Sequence, residues 1–219
     1  KIVKMSRYAK DEDTAGYLDM LRFQRANIEK NAENKYAELE SILDEIGDGI
    51  SDTIIFVSDA QIDNVMRILG KRKIAASRFT QAQSTVESDK FDGLSERNHI
   101  IKLFKEKQYK VLVAIKCLDE GIDIPSADRA IVMASSTNPR EYVQRIGRII
   151  RQDYGKYDAT IHDMIIKPSL DLFYDDTLIE MEKRIFKKEM DRVLELSENA
   201  INNTSITNIV FDILQEVVS

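Results

Sequence analysis

Short apolar runs alternate with amphipathic stretches through the middle of the chain. Residues 53–57, Thr-Ile-Ile-Phe-Val, form a continuous apolar run, which is typical of a strand buried on both faces. From 60 to 69 the apolar residues recur at helical spacing, and Ser95 stands where it would cap a second helix of this kind. The alternation continues to residue 167. It predicts further strands at 74–79, 109–114, 129–134 and 158–166, a helix at 139–150, and an exposed polar loop at 81–93.

This order of elements predicts the fold class. Repeated strand–helix units require a mainly parallel sheet with right-handed crossovers, because a parallel neighbour can be reached only by a long connection. We therefore expect an α/β domain in which helices cover the faces of the sheet. Ligands in such sheets bind at the carboxyl ends of the strands, so the segments that follow the strands are the expected functional ones.

Helical patterns flank this central region on both sides. Residues from about Asp11 to Asp48 predict one helix that ends at Gly47 and Gly49, and we interpret it as a helix packed on the next domain. After Pro168, a long charged helix is predicted at 177–203 and a short one at 206–218. We interpret the charged helix as a solvated strut or an interface to another domain. The predicted regions are a helical lead-in (1–50), an α/β core (51–168) and a helical extension (169–219).

Composition narrows the class of protein. The chain has 219 residues, a net charge of −6, 43% hydrophobic residues and one cysteine, so one sizeable core is expected and an internal disulfide is excluded. No apolar run reaches the roughly 20 residues that span a bilayer, and no signal peptide is recognised. With two histidines, no metal site is predicted. We expect a cytoplasmic protein that binds no membrane and has at most a local basic track.

The run from Tyr142 to Arg151 carries the clearest chemical signal. It contains Q-R-x-G-R-x-x-R, in which three arginines surround one glycine. Arginines at helical spacing can present rigid guanidinium groups to a polyphosphate, and the glycine permits close backbone approach. Taken alone, the run could equally be a solvated basic helix. The residues that precede it decide between these interpretations.

Twenty-one residues before Gln144 stands Asp123, in the sequence Leu-Asp-Glu-Gly-Ile-Asp-Ile-Pro that ends at Pro125. This block follows the apolar stretch 111–115. The order of strand, Gly-x-Asp-x-Pro turn, second strand and arginine helix resembles motifs V and VI of superfamily 2 helicases. The chain is similar, over about residues 53–166, to the second RecA-like domain of that superfamily, which implies a RecA-like sheet.

The resemblance assigns roles at an ATP site. It implies that Arg148 and Arg151 reach the γ-phosphate as catalytic arginines, and that Gln144 couples this site to a neighbouring domain. Arg145 is expected mainly in an internal salt bridge. The motif V match implies that Asp123 accepts a hydrogen bond from the ribose, and that Gly121 permits the turn beneath it.

The same resemblance implies contacts with a nucleic-acid backbone. Ser58, after the first strand, is the best match to a phosphate contact. Many relatives have a Thr-Asp pair where this chain has Ile115 and Lys116, so the usual contact is in doubt, although Lys116 offers a point charge. Thr80 is a weaker candidate, for which a role in capping a turn is equally expected.

No phosphate-binding loop of the form G-x-x-x-x-G-K-[ST] occurs in the sequence. Such a loop holds the β- and γ-phosphates and the magnesium ion. The acidic pairs Asp44-Glu45 and Asp119-Glu120 are not in a suitable context to replace the missing acidic motif. We therefore expect ATP and Mg²⁺ to be held mainly by an N-terminal RecA-like domain of a longer parent, which is an ATP-dependent enzyme. This chain alone is predicted to be inactive.

The motif variants also indicate a substrate. In DEAD-box RNA helicases the corresponding motif resembles H-R-x-G-R-x-x-R, whereas this chain has glutamine in the first position. This form of the motif looks more like that of DNA-directed repair and restriction translocases. DNA is therefore the expected partner. Two alternatives stay open: a non-catalytic docking or regulatory module, and an RNA-directed helicase domain. The intact arginine set argues against the docking module, because a scaffold does not need it.

Overall fold

The computed structural model describes residues 12–115, 127–134, 158–172 and 175–218. The chain forms two compact units. One consists of Lys30–Met164 and contains the sheet; the other combines Lys1–Glu29 with Ile165–Ser219. Within the described ranges, no helix is both long and apolar enough to cross a membrane.

The sheet of the first unit is parallel throughout its five described strands. The chain contains, in order, β1 (Thr53–Phe56), β2 (Ala76–Phe79), β3 (Glu87–Ser88), β4 (Leu94–Ser95), β5 (Val111–Ala114), β6 (Arg129–Val132) and β7 (Thr160–Asp163). The parallel strands are arranged β2-β5-β1-β6-β7. This arrangement, with its flanking helices, confirms the α/β, RecA-like fold class that the sequence predicts.

The strands are in register at their carboxyl ends. Phe56 at the end of β1 pairs with Ala114 of β5 and with Val132 of β6, and Phe79 of β2 pairs with Ala114. One edge of the sheet therefore collects the residues that follow each strand. β1 and β5 are buried along their whole length, as the continuous apolar runs predict for a sheet covered on both faces.

Six helices accompany the strands in the described ranges: α1 (Glu12–Lys30), α2 (Asn34–Ile46), α3 (Ile62–Lys71), α4 (Glu96–Lys105), α5 (Asp176–Ser197) and α6 (Asn203–Val218). α2 and α3 pack their apolar sides against the sheet in one core cluster. Ser95 caps α4 as predicted, because its hydroxyl accepts a hydrogen bond from the backbone N–H of Asn98 at 3.2 Å. Gly47 ends α2 at a φ of 63°, which favours glycine.

The prediction of one helix over 11–48 is wrong. The helix stops at Lys30 and a new one begins at Asn34, with a turn between them in which the N–H of Lys35 bonds to the carbonyl of Ala32 at 3.2 Å. The apolar spacing continues through the turn, so periodicity cannot reveal the break. The break has a physical cause in hydrogen bonds to the sheet edge. The carbonyl of Lys30 accepts from the side chain of Gln61, and the side chain of Asn31 accepts from the hydroxyl of Ser58.

The stretch 81–93 is not entirely loop as predicted. β3 and β4 pair as a short antiparallel hairpin around a turn in which Asp92 and Gly93 have φ of 56° and 78°. Aspartate and glycine are the residue types that adopt this left-handed conformation most readily. An Asp-Gly pair is typical of a hairpin turn, but the two-residue strands are too short to show a period of two.

The second unit is built on an α5–α6 pair. Phe186 and Met190 of α5 pack against Val210 and Val217 of α6, so α5 is half-covered and not a fully solvated strut. The predicted end of the charged helix at 203 is also wrong. α5 ends at Ser197, whose carbonyl accepts from the side-chain amide of Asn203 at 2.9 Å, and Asn203 begins the next helix.

Candidate nucleic-acid and nucleotide edge of the sheet

Ser58 lies two residues beyond β1 at the carboxyl edge, where the sequence places it, but it is 6% exposed. Its hydroxyl donates to Oδ1 of Asn31, in the turn between α1 and α2. Its backbone N–H donates to Oε1 of Gln61 at 2.9 Å. A phosphate oxygen only accepts hydrogen bonds, so contact with phosphate requires the Ser58 hydroxyl to leave Asn31.

Gln61 fixes the loop that follows β1. It is fully buried, and both polar atoms of its side-chain amide are hydrogen-bonded. Oε1 accepts from the backbone N–H of Ser58, and Nε2 donates to the carbonyl of Lys30 at 2.9 Å. A buried amide that is bonded at both ends holds its neighbours in one arrangement, because any shift leaves a buried polar group unpaired. The loop is therefore fixed to the turn after α1.

Lys35 makes the corresponding contact at the neighbouring strand. Its ammonium group is buried and donates to the carbonyl of Met133, one residue after β6, at 2.8 Å. It also lies 3.4 Å from the carbonyl of Lys30. Lys35 thus brings a positive charge to the carboxyl end of β6 and links it by hydrogen bonds to the carbonyl of Lys30 at the end of α1.

Thr80 follows β2 at the same edge and caps a turn. Its hydroxyl accepts from the N–H of Ala82 at 3.2 Å, and its N–H donates to Oε1 of Gln83 at 2.6 Å. Arg97 of α4 supports this corner: Nη2 donates to the Thr80 carbonyl at 3.2 Å, and the guanidinium lies 5.8 Å from the centre of the Phe79 ring. The turn-capping alternative for Thr80 is therefore observed, and phosphate contact stays a prediction.

The other predicted site residues lie outside the described residues. They are Lys116, Gly121, Asp123, Gln144, Arg145, Arg148 and Arg151. Of the predicted nucleic-acid contacts that the structure describes, Ser58 and Thr80 lie at a common edge, after β1 and after β2, with β5 between these strands. Among the described residues, no group of three or more His, Cys, Asp or Glu side chains forms a metal site.

The imidazole of His162, within the sheet, has a shifted pKa. Burial lowers the pKa of His162 in β7, and the positive charge of Arg129 lowers it further, while Glu45 and Glu38 act in the opposite direction. The neutral imidazole is therefore favoured in the folded protein.

Sequence reasoning missed part of this edge. Asn31, Gln61 and Lys35 are not among the site residues that the sequence predicts. Arg97, in the first turn of α4, is not among them either. Ser58 and Gln61 are three residues apart, the spacing at which a side chain can return to a backbone N–H, and this was the available signal.

The family follows from a match over more than half of the chain. Residues 34–153 match the helicase conserved C-terminal domain. The chain belongs to this family. The matched range includes the parallel sheet through β6, the Gly-x-Asp-x-Pro block and the arginine run, so this helicase C-terminal domain is one of superfamily 2, as the sequence resemblance implied.

Relatives of this helicase C-terminal domain include DNA and RNA helicases. It is 30% identical over 171 residues to the DNA 3'-5' translocase XPB2 of Sulfurisphaera tokodaii, a match that covers 78% of this chain and 34% of the relative. It is 34% identical over 89 residues to the ATP-dependent DNA helicase MPH1 of Scheffersomyces stipitis, covering 40% and 8%. It is 27% identical over 157 residues to the ATP-dependent RNA helicase DBP8 of the same yeast, covering 72% and 32%.

The chain spans about a third or less of the length of these relatives. Among solved structures, the C-terminal domain of the DEAD-box protein Dbp5 is similar, with 26% identity, a TM-score of 0.47, and coverage of 71% of this chain and 81% of that one. The C-terminal part of the Fun30 ATPase domain is also similar, with 16% identity, a TM-score of 0.49, and coverage of 84% and 69%.

Proposed function

We propose that this chain is the second motor domain of an ATP-dependent DNA helicase or translocase. The observation that carries the proposal is that a helicase C-terminal domain retains the full set Gln144, Arg145, Gly147, Arg148 and Arg151. A domain kept only for docking does not require three arginines at this spacing. The non-catalytic alternative therefore has no specific observation in its favour.

In this proposal, Arg148 and Arg151 neutralise charge that develops on the transferred phosphoryl group. Guanidinium groups that do this contribute about 10³–10⁵ in rate in other phosphoryl-transfer enzymes. Asp123 accepts a hydrogen bond from the ribose, above the turn that Gly121 permits, and Gln144 couples the two domains. ATP and Mg²⁺ are held mainly by an N-terminal RecA-like domain of the parent protein.

The carboxyl edge of the sheet would contact the nucleic-acid backbone through Ser58, Thr80 and Lys116. Ser58 and Thr80 lie at this edge, and Ile115, which precedes Lys116, follows the strand between them. Ser58 lies where a phosphate contact is expected, but its hydroxyl already donates a hydrogen bond to Asn31. We propose that a phosphate oxygen replaces Asn31 as the acceptor. These contacts position the nucleic-acid strand and do not depend on its base sequence.

DNA is proposed as the substrate because the motif variants and two of the cited relatives are of the DNA-directed type. An RNA-directed helicase domain is the second candidate, and the RNA helicase DBP8 among the relatives favours it. The test is ATP turnover by the full-length protein with single-stranded DNA, duplex DNA and RNA of matched length. DNA should stimulate turnover most. Stimulation by RNA alone would replace the first proposal with the second.

A further inference from the structure

Two buried side chains converge on one backbone carbonyl, that of Lys30. Nε2 of Gln61 lies 2.9 Å from this oxygen and Nζ of Lys35 lies 3.4 Å from it. Each side chain also holds the end of a different strand. Gln61 accepts from the N–H of Ser58 after β1, and Lys35 donates to the carbonyl of Met133 after β6. A continuous series of hydrogen bonds therefore joins the carboxyl ends of two adjacent strands.

This polar bridge, from Ser58 through Gln61, Lys30 and Lys35 to Met133, is not the simplest way to fill the space. Burying an ammonium group carries a desolvation cost, and a well-packed apolar side chain of similar volume often stabilises a fold equally well. Lys35 is nevertheless 6% exposed and Gln61 is 0% exposed. What the bridge provides is directional: hydrogen bonds fix the separation and orientation of the two strand ends more closely than apolar contacts do.

We propose that Lys35 and Gln61 are positioning residues for ATP turnover. They hold the loop that carries Ser58 and the end of β6 at Met133 in a fixed relative arrangement. The inference rests on the proposed function, since Arg148 and Arg151 follow β6 in the sequence. Small displacements of supporting structure are sufficient to matter, because phosphoryl transfer depends on accurate placement of charged groups.

The test compares Lys35→Met and Gln61→Leu with Thr53→Val in the full-length protein. Thr53 is a matched control: it is fully buried, its hydroxyl donates to the carbonyl of Ser51 at 2.7 Å, and it lies at the opposite end of β1. Both bridge variants should lower kcat by roughly ten- to a hundredfold with a much smaller change in KM for ATP. Thr53→Val should lose about as much thermal stability as the two bridge variants but should retain near-normal kcat. Lys35→Arg, which keeps charge and donors, should restore part of the lost turnover.

A readout that does not require activity separates this inference from the proposed function. Amide hydrogen exchange at Ser58 and Met133 should accelerate in Lys35→Met and Gln61→Leu but not in Thr53→Val. A wild-type protein that shows no stimulated turnover would defeat the proposed function, while exchange would still report whether the bridge holds the strand ends. Unchanged exchange in both bridge variants would overturn the positioning role. So would faster exchange accompanied by normal kcat.

Discussion

Arg25 and Glu182, 157 positions apart in the sequence, form a bidentate ion pair within the helical unit, which combines Lys1–Glu29 with Ile165–Ser219. Nε of Arg25 donates to Oε1 of Glu182 at 2.8 Å, and Nη2 donates to Oε2. The hydrogen bonds to Glu182 raise the pKa of Arg25 despite its partial burial, and Glu29 one turn away adds a third contact at 3.0 Å. The pair joins α1, near one end of the chain, to α5, near the other.

Removing one partner of this pair should destabilise the helical unit. The Glu182 side chain is 10% exposed, so Arg25→Leu leaves its carboxylate with little access to water. We expect a loss of roughly 1–3 kcal/mol, less than for a fully buried pair. Chemical denaturation measures it. The matched control is Arg78→Leu, which breaks the exposed pair with Asp63 and should cost less than about 1 kcal/mol. Equal losses in the two variants would contradict the assigned importance of the Arg25–Glu182 pair.

The lowered pKa of His162 predicts a pH dependence of stability. The unfolded chain takes up this proton near pH 6.5, and the folded protein takes it up only at lower pH, because burial and Arg129 oppose the charge. The stabilising contribution is therefore complete above about pH 6.5 and is lost as the pH falls toward the folded pKa. Unfolding midpoints between pH 7.5 and 5 should fall less steeply in His162→Gln than in the wild type. Asp44 does not contribute to the slope over this pH range, because its hydrogen bond from Arg72 lowers its pKa further below the range. Parallel curves would show that His162 does not cause the dependence.

Nucleic-acid binding by this chain alone should be weak and sensitive to salt. The protein carries a net charge of −6, and its candidate contacts are few. Each neutralised phosphate contributes a slope of about −0.7 in log K against log salt on single strands, so one to three contacts give a shallow dependence. Fluorescence anisotropy over a salt series measures this slope. Asn31→Ala removes the acceptor that engages the Ser58 hydroxyl, and it should not weaken binding, whereas Ser58→Ala should. Tight binding at high salt, or preference for one base sequence, would contradict a backbone-directed site.

Apolar patterning predicted the strands because a sheet buried on both faces demands continuous apolar runs, as in β1 and β5. The same pattern failed at Asn31, where the helix breaks. The break depends on hydrogen bonds to Ser58 and Gln61, which are distant in sequence and leave no periodic signal. For the same reason the sequence does not indicate the bridge through Lys35, which depends on β1 and β6 lying side by side in the sheet. Residues that act through the backbone of other segments are the part that a single sequence does not reveal.

This chain on its own should not hydrolyse ATP. The sequence lacks a phosphate-binding loop, so the isolated chain should hydrolyse ATP no faster than buffer, with or without DNA. Measuring phosphate release from the isolated chain over a range of DNA concentrations provides the test. Stimulated turnover by the chain alone would mean that it holds a complete nucleotide site.

The most direct test of the central claim is the rate of DNA-stimulated ATP turnover in the full-length protein carrying Arg148→Ala. Because a catalytic arginine acts on the transition state, turnover should fall by about three orders of magnitude or more, while nucleotide affinity changes little. Arg148→Lys should recover little of the rate, since an ammonium group cannot reproduce the planar guanidinium. Arg72→Ala, at a partly exposed arginine paired with Asp44, controls for loss of a positive charge and should turn over normally. Near-normal turnover by Arg148→Ala would contradict the assignment of this chain as the arginine-supplying motor domain.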